Sequence, residues 1–359
     1  MDSKKEQLLA LLQADPFISQ QALAEKLTLS RSAIAGHIAA LTREGRLLGR
    51  AYVLPQRSAV VCIGGANIDR KLRLLGPLQM GSSNPTADSL ETPGGVARNV
   101  AENLARLGLP TQLICAVGDD AGGRALLAQA ADVGLGTQGC WVAAGETTGS
   151  YTAVLDANGE MLLALAAMPL TEQLTPELLR KSAAQRLQAA LIVFDLNLPA
   201  ASVALLLREA QSHGAPVVAV AVSAPKMNRL PHDLQGLQCL ILNRGELQAL
   251  GDPSPATLHR RGVPQVIVTD GADGVVCSQA GTPAQHLAPP PAMAVIDVTG
   301  AGDAFAAGVC AGLWQQPHDL LRAARLGLKL AALTLQTEAT VHPDISPAWL
   351  AANLETITP

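Results

Sequence analysis

The sequence predicts an α/β fold for most of the chain, preceded by a small helical domain. From residue 59 onward, short apolar segments typical of strands alternate with segments of helical periodicity, which indicates a parallel sheet covered on both faces. The charge changes at the same place. Residues 1–54 hold seven basic and five acidic side chains, whereas the remainder holds 19 and 25. We therefore expect one domain over residues 1–54, a linker over 55–58 and a second domain over 59–359.

The composition excludes several classes of protein. Apolar residues make up 48% of the 359 residues, which is enough for a large core and excludes a disordered or collagen-like chain. Aromatic residues are only 2% and the net charge is −4, which argues against a protein that coats single-stranded nucleic acid. No apolar run approaches the roughly 20 residues of a membrane-spanning helix. The six scattered cysteines indicate buried thiols, and we expect a cytoplasmic protein with no membrane partner.

The first domain is predicted to consist of three helices and a short β wing. Ser19 and Ser30 are suited to cap the second and third helices, and residues 46–54 follow as the wing. This order resembles a winged helix-turn-helix, which implies that the third helix enters the major groove of duplex DNA. The candidate DNA-binding residues are Arg31, Ser32 and His37 on that helix, with Arg46 and Arg50 in the wing. The net charge of this domain is only +2, which gives weak attraction to DNA phosphates, so a docking or dimerisation domain is the alternative.

The second domain has six predicted strands in order along the chain. They are Ala59–Ile63, Thr111–Val117, Leu191–Phe194, Val217–Val222, Leu237–Leu242 and Val266–Thr269, with helices over Gly94–Leu107 and Gly122–Val133 among the intervening segments. Ligands of such sheets bind beyond the carboxyl ends of the strands. Asn158-Gly159 separates two β-prone runs, Ser150–Asp156 and Glu160–Leu165, and so predicts a hairpin. The hairpin, over about residues 147–168, is interpreted as a lid over the site or as a surface ornament.

Two glycine-rich segments differ in their context. Gly134–Gly139 matches G-x-G-x-x-G, but it follows a predicted helix, so we do not interpret it as a dinucleotide-binding loop. Gly300-Ala301-Gly302 precedes a predicted helix, where small residues and the positive helix end favour an anion. Asp303 lies at the start of that same helix. A carboxylate beside an anion site fits a general base that deprotonates an attacking hydroxyl, although a helix cap is the alternative.

Six motifs in the second domain resemble, in order, those of the ribokinase (PfkB) family of carbohydrate kinases. They are Gly64–Asp69, Pro93–Ala101, Gly118–Gly122, Asn243–Glu246, Thr269–Gly274 and Asp297–Phe305. The resemblance implies a ribokinase-like three-layer sandwich with a β-hairpin lid. It also implies an ATP-dependent phosphotransferase that acts on a hydroxyl group of a nucleoside or a sugar.

The resemblance assigns roles to individual residues. Asp303 would be the general base, and the backbone N–H groups of Gly300, Ala301 and Gly302 would bind the transferred phosphoryl group. Substrate hydroxyls would meet Asn67, Asp69, Gly94, Gly95 and Asn99. The nucleotide would contact Asn243, Thr269 and Gly271, while Asn243 with Glu246 would organise Mg²⁺ through water, and Asp297 with Thr299 would hold a monovalent cation such as K⁺.

Structural alternatives stay open for some of these residues. Asn243 and Glu246 could be a helix cap with a first-turn acid, Asp69 could cap a turn, and Gly94 with Gly95 could only break a loop before a helix. The chain also departs from the family, because Ala221-Val222 stands where many members have Asp-Pro. Lys226 lies close by, where it would approach the phosphates or extend into solvent.

Several stretches resemble one branch of the family, the pseudouridine kinases. They are Ser83-Asn84-Pro85, the hairpin Tyr151–Met168, Ala331–Leu333 and Glu338–Pro343. The resemblance implies phosphorylation of pseudouridine on its 5′ hydroxyl and a homodimer formed through the lid. Another nucleoside or a free sugar is an alternative acceptor. A ligand-sensing transcription regulator built on a kinase fold is an alternative function, which an intact Asp303 disfavours.

Overall fold

The computed structural model describes residues 3–48, 58–251, 254–291 and 294–356. The chain forms two compact units. One contains the described residues up to 58 together with the segment 183–189, and the other contains the remainder. Among the described residues, no helix combines the length and the apolar character that crossing a bilayer requires.

The N-terminal part of the first unit forms three helices around a small apolar core. They are α1 (Ser3–Ala14), α2 (Gln20–Leu27) and α3 (Arg31–Arg43). The hydroxyls of Ser19 and Ser30 accept hydrogen bonds from the N–H groups of Ala22 and Ala33, each at 3.1 Å, as the sequence predicts. Residues 46–48 form no strand, and the rest of the predicted wing lies outside the described residues. The buried side chains are Leu8, Leu9, Leu12, Ile18, Leu23, Ala24, Leu27, Ile34, Leu41 and Leu47.

The second unit is built on three sheets. In chain order its strands are β1 (Ala59–Ile63), β2 (Asn67–Leu74), β3 (Thr86–Gly94), β4 (Thr111–Ile114), β5 (Ala116–Gly118), β6 (Trp141–Ala143), β7 (Ser150–Leu155), β8 (Met161–Ala167), β9 (Ala189–Asp195), β10 (Val217–Val220), β11 (Cys239–Asn243), β12 (Gln265–Thr269), β13 (Val275–Gln279) and β14 (Gln285–Leu287). Eight of them form the main sheet in the order β14-β13-β12-β11-β10-β9-β1-β4.

The main sheet differs from the prediction in two respects. The pairs β9–β10, β10–β11, β11–β12 and β1–β4 are parallel, but β13 and β14 run antiparallel at one edge, so the sheet is mixed. The predicted strand Thr111–Val117 is broken at Cys115, because β4 joins the main sheet whereas β5 pairs with β6 in a separate two-stranded sheet.

A four-stranded sheet in the order β3-β2-β7-β8 contains the predicted hairpin. Strands β7 and β8 pair antiparallel around Asn158-Gly159, as expected. Strand β7 also pairs in parallel with β2, which pairs antiparallel with β3. We call this four-stranded sheet the lid sheet. Strands β2 and β3 were not predicted, because their many charged side chains hide the alternation of a half-exposed strand.

Helices cover the main sheet. They are α4 (Val96–Arg106), α5 (Ala121–Asp132), α6 (Pro176–Arg180), α8 (Ala200–His213), α9 (Arg244–Ala249), α10 (Pro255–Arg260), α11 (Ala301–Gln315), α12 (Leu320–Thr334) and α13 (Pro347–Glu355), whereas α7 (Ala183–Leu187) belongs to the first unit. One continuous core joins α4, α11 and α12 to the sheet. Helix α11 is almost wholly buried after its first turn, so the core fixes the position of its N-terminus.

Candidate active site

Polar residues gather where the parallel strands of the main sheet end. Strand β9 ends at Asp195, β11 at Asn243 and β12 at Thr269, and the Gly64-Gly65 turn follows β1. The carboxyl ends of parallel strands lie at one edge of a sheet, so these groups share an edge. Asn243 and Thr269 are also partners in strand register. The fold therefore gathers these groups at the edge of the sheet where the sequence analysis places a site.

The segment Gly300–Gly302, which we call the anion turn, leads into helix α11. Gly300 has a φ of 81°, and a Cβ there would lie 2.1 Å from the carbonyl oxygen of Thr340, so only glycine fits. The N–H of Ala304 donates to the carbonyl of Gly300 at 2.8 Å. The N–H groups before it precede the helical hydrogen-bond ladder, and they point from the positive end of the helix dipole. The N–H of Ala301 donates a long hydrogen bond, of 3.4 Å, to the carbonyl oxygen of Val298.

Gly302 differs from Gly300 in its surroundings. A Cβ built on Gly302 would meet no heavy atom of the rest of the protein within 4 Å. The protein itself therefore gives no steric reason for a glycine at this position. Open space beside the first N–H groups of a helix is what an incoming anion needs.

Asp303 stands on the first turn of α11, and a hydrogen bond connects it to α4. The side-chain amide of Asn99 donates from Nδ2 to Oδ2 of Asp303 at 2.6 Å. Nη2 of Arg98 donates to Oδ1 of Asn99, also at 2.6 Å, and this bond sets the amide so that its nitrogen faces the carboxylate. The structure thus brings together Asn99 and Asp303, which are 204 residues apart in the chain.

Arg98 is itself held from several sides. Its side chain is almost fully buried, and it forms an ion pair with Glu102, which also pairs with Arg106 at 2.8 Å. Its Nε and Nη2 atoms donate to the carbonyls of Gly94 and Pro93, each at 3.2 Å. A buried arginine with this many acceptors has little rotamer freedom. The orientation of Asn99, and through it that of Asp303, is therefore fixed before any ligand binds.

The environment raises the pKa of Asp303 to about 7. Desolvation by the surrounding protein is the main cause, and the negative charges of Asp195 and Asp69 add to it, whereas the Asn99 hydrogen bond and the Arg98 charge act in the opposite direction. A carboxylate with this pKa is a stronger base than an ordinary aspartate. It is matched to proton transfer near neutral pH.

The predicted substrate residues form a second cluster. Nδ2 of Asn67 donates to Oδ1 of Asp69 at 2.6 Å. The Asp69 carboxylate lies against Gly94, where a Cβ would come within 2.2 Å of its Oδ2. Gly95 is the N-cap of α4, the helix that carries Asn99. Burial raises the pKa of Asp69, although the Asn67 hydrogen bond opposes this effect. These residues bring carboxylate and amide groups together, which suits a polyhydroxylated ligand.

Asp195 is the main site residue that the sequence analysis missed. It is buried, and its carboxylate accepts hydrogen bonds at 2.9 Å from the N–H groups of Gly65, Ala97 and Asn197. It thus ties the turn after β1 to the start of α4. Burial raises its pKa despite these bonds. Its position directly after a predicted strand was the one signal available in the sequence.

Lys226 follows the next strand, β10, and its ammonium donates to Oδ1 of Asn197. The lysine is half-buried, and desolvation lowers its pKa. It is therefore not a lysine that extends freely into solvent. Its hydrogen bond places it beside the Asp195 cluster at the same edge of the sheet.

Asn243 and Glu246 form a capping box at the start of α9. Oδ1 of Asn243 accepts from the N–H of Glu246 at 2.8 Å, and Oε2 of Glu246 accepts from the N–H of Asn243 at 2.7 Å. Both residues thus have the structural role given above as the alternative. Glu246 is buried rather than solvated, and burial raises its pKa. The capping bond leaves the second carboxylate oxygen, Oε1, to contact a water of a hydrated Mg²⁺, so the pair fits an outer-sphere role.

The predicted nucleotide residues Thr269 and Gly271 flank the end of β12. Gly271 begins a short 3₁₀ turn, and Asp270 between them forms an ion pair with Arg244 on α9. Within the described part of the chain, no hydrogen bond connects Thr269 or Gly271 to Asp303. Thr269 and Gly271 therefore lie at the sheet edge without a direct hydrogen bond to the general base predicted at Asp303.

Asp297 and Thr299 precede the anion turn, and a lysine from the lid sheet joins them. The Lys71 ammonium donates to Oδ2 of Asp297 and contacts Oγ1 of Thr299 at 3.0 Å. The N–H and the hydroxyl of Thr299 both donate to Oδ1 of Asp297, at 2.8 and 2.7 Å. Burial acts to raise the pKa of Asp297, but the hydrogen bonds from Lys71 and Thr299 outweigh it and hold the pKa below its ordinary value.

The candidate DNA-binding residues that the structure describes lie on α3 and in the segment that follows it. Arg31 and Ser32 are exposed at the start of α3, and His37 is half-buried on the same helix. Arg46 forms a bidentate ion pair with Glu6, with distances of 2.9 and 3.1 Å, so its guanidinium is already engaged. Arg50 lies outside the described residues.

Two protein families match different parts of the chain. The family of pfkB carbohydrate kinases matches residues 57–347, and a winged helix-turn-helix DNA-binding family matches residues 1–47. An uncharacterized sugar kinase of Escherichia coli is 30% identical over 357 residues, covering 96% of this chain and 97% of that protein. A pseudouridine kinase of the same organism is 34% identical over 303 residues, covering 82% of this chain and 95% of that protein.

A solved structure supports the fold. The carbohydrate kinase from Agrobacterium tumefaciens superimposes with a TM-score of 0.72 at 31% sequence identity. The superposition covers 83% of this chain and 97% of that protein. The ribokinase-like architecture predicted from the motifs is thereby confirmed.

Proposed function

The chain belongs to the pfkB family of carbohydrate kinases, and we propose that it transfers a phosphoryl group from ATP to the 5′ hydroxyl of pseudouridine. The observation that carries the phosphoryl transfer is the Asp303 carboxylate, held by Asn99 at the start of the helix that follows the anion turn. The choice of acceptor has its support in the 34% identity to a pseudouridine kinase and in the motifs of that branch.

The geometry gives each group in the transfer a task. Asn99 holds Oδ2 of Asp303, which leaves Oδ1 to accept the proton of the acceptor hydroxyl. As that proton leaves, the hydroxyl oxygen forms its bond to the γ-phosphorus, and the bond from phosphorus to the β–γ bridging oxygen breaks to release ADP. The N–H groups of the anion turn stabilise the charge on the transferred group. Such preorganised donors are typically worth about 3–4 kcal/mol each in the transition state.

The remaining site residues orient the two substrates. Asn67, Asp69 and Asn99 exchange hydrogen bonds with ribose hydroxyls. Gly94 and Gly95 instead make room for the protein itself, since the Asp69 carboxylate packs against Gly94 and the backbone of Gly65 packs against Gly95. Thr269 and Gly271 border the nucleotide. Asn243 and Glu246 would hold Mg²⁺ through water, and the ion would neutralise phosphate charge when bound. Pairing of two copies through the lid sheet stays a prediction. Its support is that the apolar side chains of Met161, Leu162 and Leu165 on β8 are exposed to solvent.

An acceptor screen tests the proposed function. We expect the full chain with ATP and Mg²⁺ to release ADP in the presence of pseudouridine, and to use uridine at least about tenfold less efficiently in kcat/KM. The control is pseudouridine that lacks the 5′ hydroxyl, which should release no ADP. A higher kcat/KM for another nucleoside or a free sugar would support kinase activity but would contradict the assignment of pseudouridine as the acceptor.

The first unit supports a second activity, binding of duplex DNA, because it matches a winged helix-turn-helix family and exposes Arg31 and Ser32 at the start of α3. We expect the full chain to shift promoter-region fragments with an affinity that falls as salt rises. Arg31→Ala should lower the slope of log affinity against log salt by about one.

Arg43→Ala is the matched control for the DNA experiment. Arg43 is exposed at the opposite end of the same helix, so its removal changes the net charge equally. The Arg43 variant should therefore keep a salt slope closer to that of the wild type. Equal effects of the two variants, or no shift at low salt, would favour the docking or dimerisation role.

A further inference from the structure

A lysine from the lid sheet occupies the position at which the resemblance implies a monovalent cation. Lys71 lies on β2, and its ammonium contacts Asp297 and Thr299, more than 220 residues away. The side chains of Lys71 and Asp297 are 22% and 21% exposed, so solvent screens this pair less than a surface pair. The contact therefore places a fixed positive charge directly before the anion turn.

The residues present do not fit an additional cation. Oδ1 of Asp297 accepts two hydrogen bonds from Thr299, and Oδ2 accepts from Lys71. The hydroxyl of Thr299 donates to Asp297 and accepts from Lys71, so its oxygen is occupied too. A K⁺ ion at this place would displace these donors and lie next to an ammonium of like charge.

We propose that Lys71 replaces the monovalent cation, so that phosphoryl transfer by this chain needs no added K⁺. This inference rests on the proposed function in one respect, namely that Gly300–Gly302 binds the transferred phosphoryl group. Thr299 immediately precedes Gly300, so the contacts of Lys71 with Asp297 and Thr299 fix the backbone that enters the anion turn. Lys71 is thus a positioning residue, and it acts through that backbone.

A tethered ammonium has an advantage over a dissolved ion. Because Lys71 belongs to the same chain, its local concentration at Asp297 does not depend on the salt in the medium. The lysine also connects the lid sheet to the segment before α11, which a free ion cannot do. Removal of the side chain leaves a carboxylate and a threonine hydroxyl, and both are oxygen ligands that suit a hard cation.

Thermal unfolding of the full chain without substrates gives the first test. Melting temperatures are compared in KCl and in tetramethylammonium chloride at equal ionic strength. The wild type should melt at the same temperature in both salts, whereas Lys71→Met should melt about 2–4 °C higher in KCl. Arg73→Met is the control, because Arg73 is a partly exposed cation two residues along the same strand, and it should behave like the wild type.

Kinase activity in the same two salts gives the second test. The wild type and Arg73→Met should show equal kcat in both, whereas Lys71→Met should lose at least about tenfold in tetramethylammonium and regain most of it in KCl. Stimulation of the wild type by K⁺ would overturn the proposal, as would a Lys71→Met enzyme that is insensitive to K⁺ in both tests. The melting test needs no acceptor, so it decides on Lys71 even if the proposed acceptor is wrong. If Lys71→Met does not fold, the wild type alone still decides, since the proposal requires it to be independent of K⁺.

Discussion

The Asp303→Asn variant is expected to lose at least about a hundredfold in kcat for phosphoryl transfer, since a positioned general base typically contributes 10²–10⁴. Asparagine has the same shape, and its carbonyl oxygen still accepts from Nδ2 of Asn99, so the connection to α4 persists. The variant removes the negative charge of the carboxylate and its ability to take up a proton. Nucleotide affinity should stay close to that of the wild type, as measured by calorimetric titration with a non-hydrolysable ATP analogue.

Asp119→Asn is the matched control for the loss of a carboxylate. Asp119 is exposed and forms an ion pair with Arg124, and it is not among the groups that shift the pKa of Asp303, so the control should keep wild-type kcat. A wild-type kcat in Asp303→Asn would reject the assigned base. The KM for the acceptor should change far less than kcat, because the variant removes an interaction that matters in the transition state.

The same assignment has a consequence for pH. Because desolvation raises the pKa of Asp303 to about 7, and only the carboxylate form accepts a proton, kcat/KM should fall about tenfold per unit below that pH and level off above it.

The contribution of Asp303 to the free energy of unfolding changes with pH in the opposite direction. The folded state favours the protonated acid, so the group contributes stability below its unfolded pKa of 3.8, and this contribution is lost as pH rises through about 7. Asp303→Asn should therefore melt above the wild type in alkaline buffer.

The features that could be predicted are those whose residues are close together in the sequence. The small residues of the anion turn and the acid that follows them stand together in the sequence, and so do the serines that cap α2 and α3. A hairpin turn such as Asn158-Gly159 is equally local, because its backbone conformation depends on neighbouring residues alone. Local physics is sufficient for these features.

The parts that could not be predicted depend on contacts between distant segments. Asp195 matters because Gly65 and Ala97, 130 and 98 residues away, direct their N–H groups at it. The residues near Asp195 in the sequence give no indication that Gly65 and Ala97 are its partners. Lys71 lies on a charged strand that has no clear β pattern, and its partner Asp297 is 226 residues away. Tertiary folding decides both contacts.

Gly302→Ala is expected to separate the activity of this enzyme from its stability. Apart from its chain neighbours and the backbone of its own helix, a Cβ at position 302 meets no protein atom within 4 Å, and alanine is a better helix former than glycine in the first turn of α11. The variant should therefore melt no lower than the wild type. The added methyl group would occupy the space we assign to the phosphoryl oxygens and keep them from the N–H donors. We therefore expect kcat to fall by about 10²–10³, as it does when an anion-hole donor is removed.

Gly300→Ala is the matched comparison within the same turn, and it should fail for the opposite reason. Its φ of 81° disfavours any side chain, and the new Cβ would lie 2.1 Å from the carbonyl oxygen of Thr340. This variant should lose activity together with stability, which is measured as a lower melting temperature and a lower yield of folded protein. Because Gly302→Ala keeps its stability, a loss of its activity can be ascribed to the ligand. A Gly302→Ala enzyme that is both stable and fully active would place the transferred phosphoryl group elsewhere.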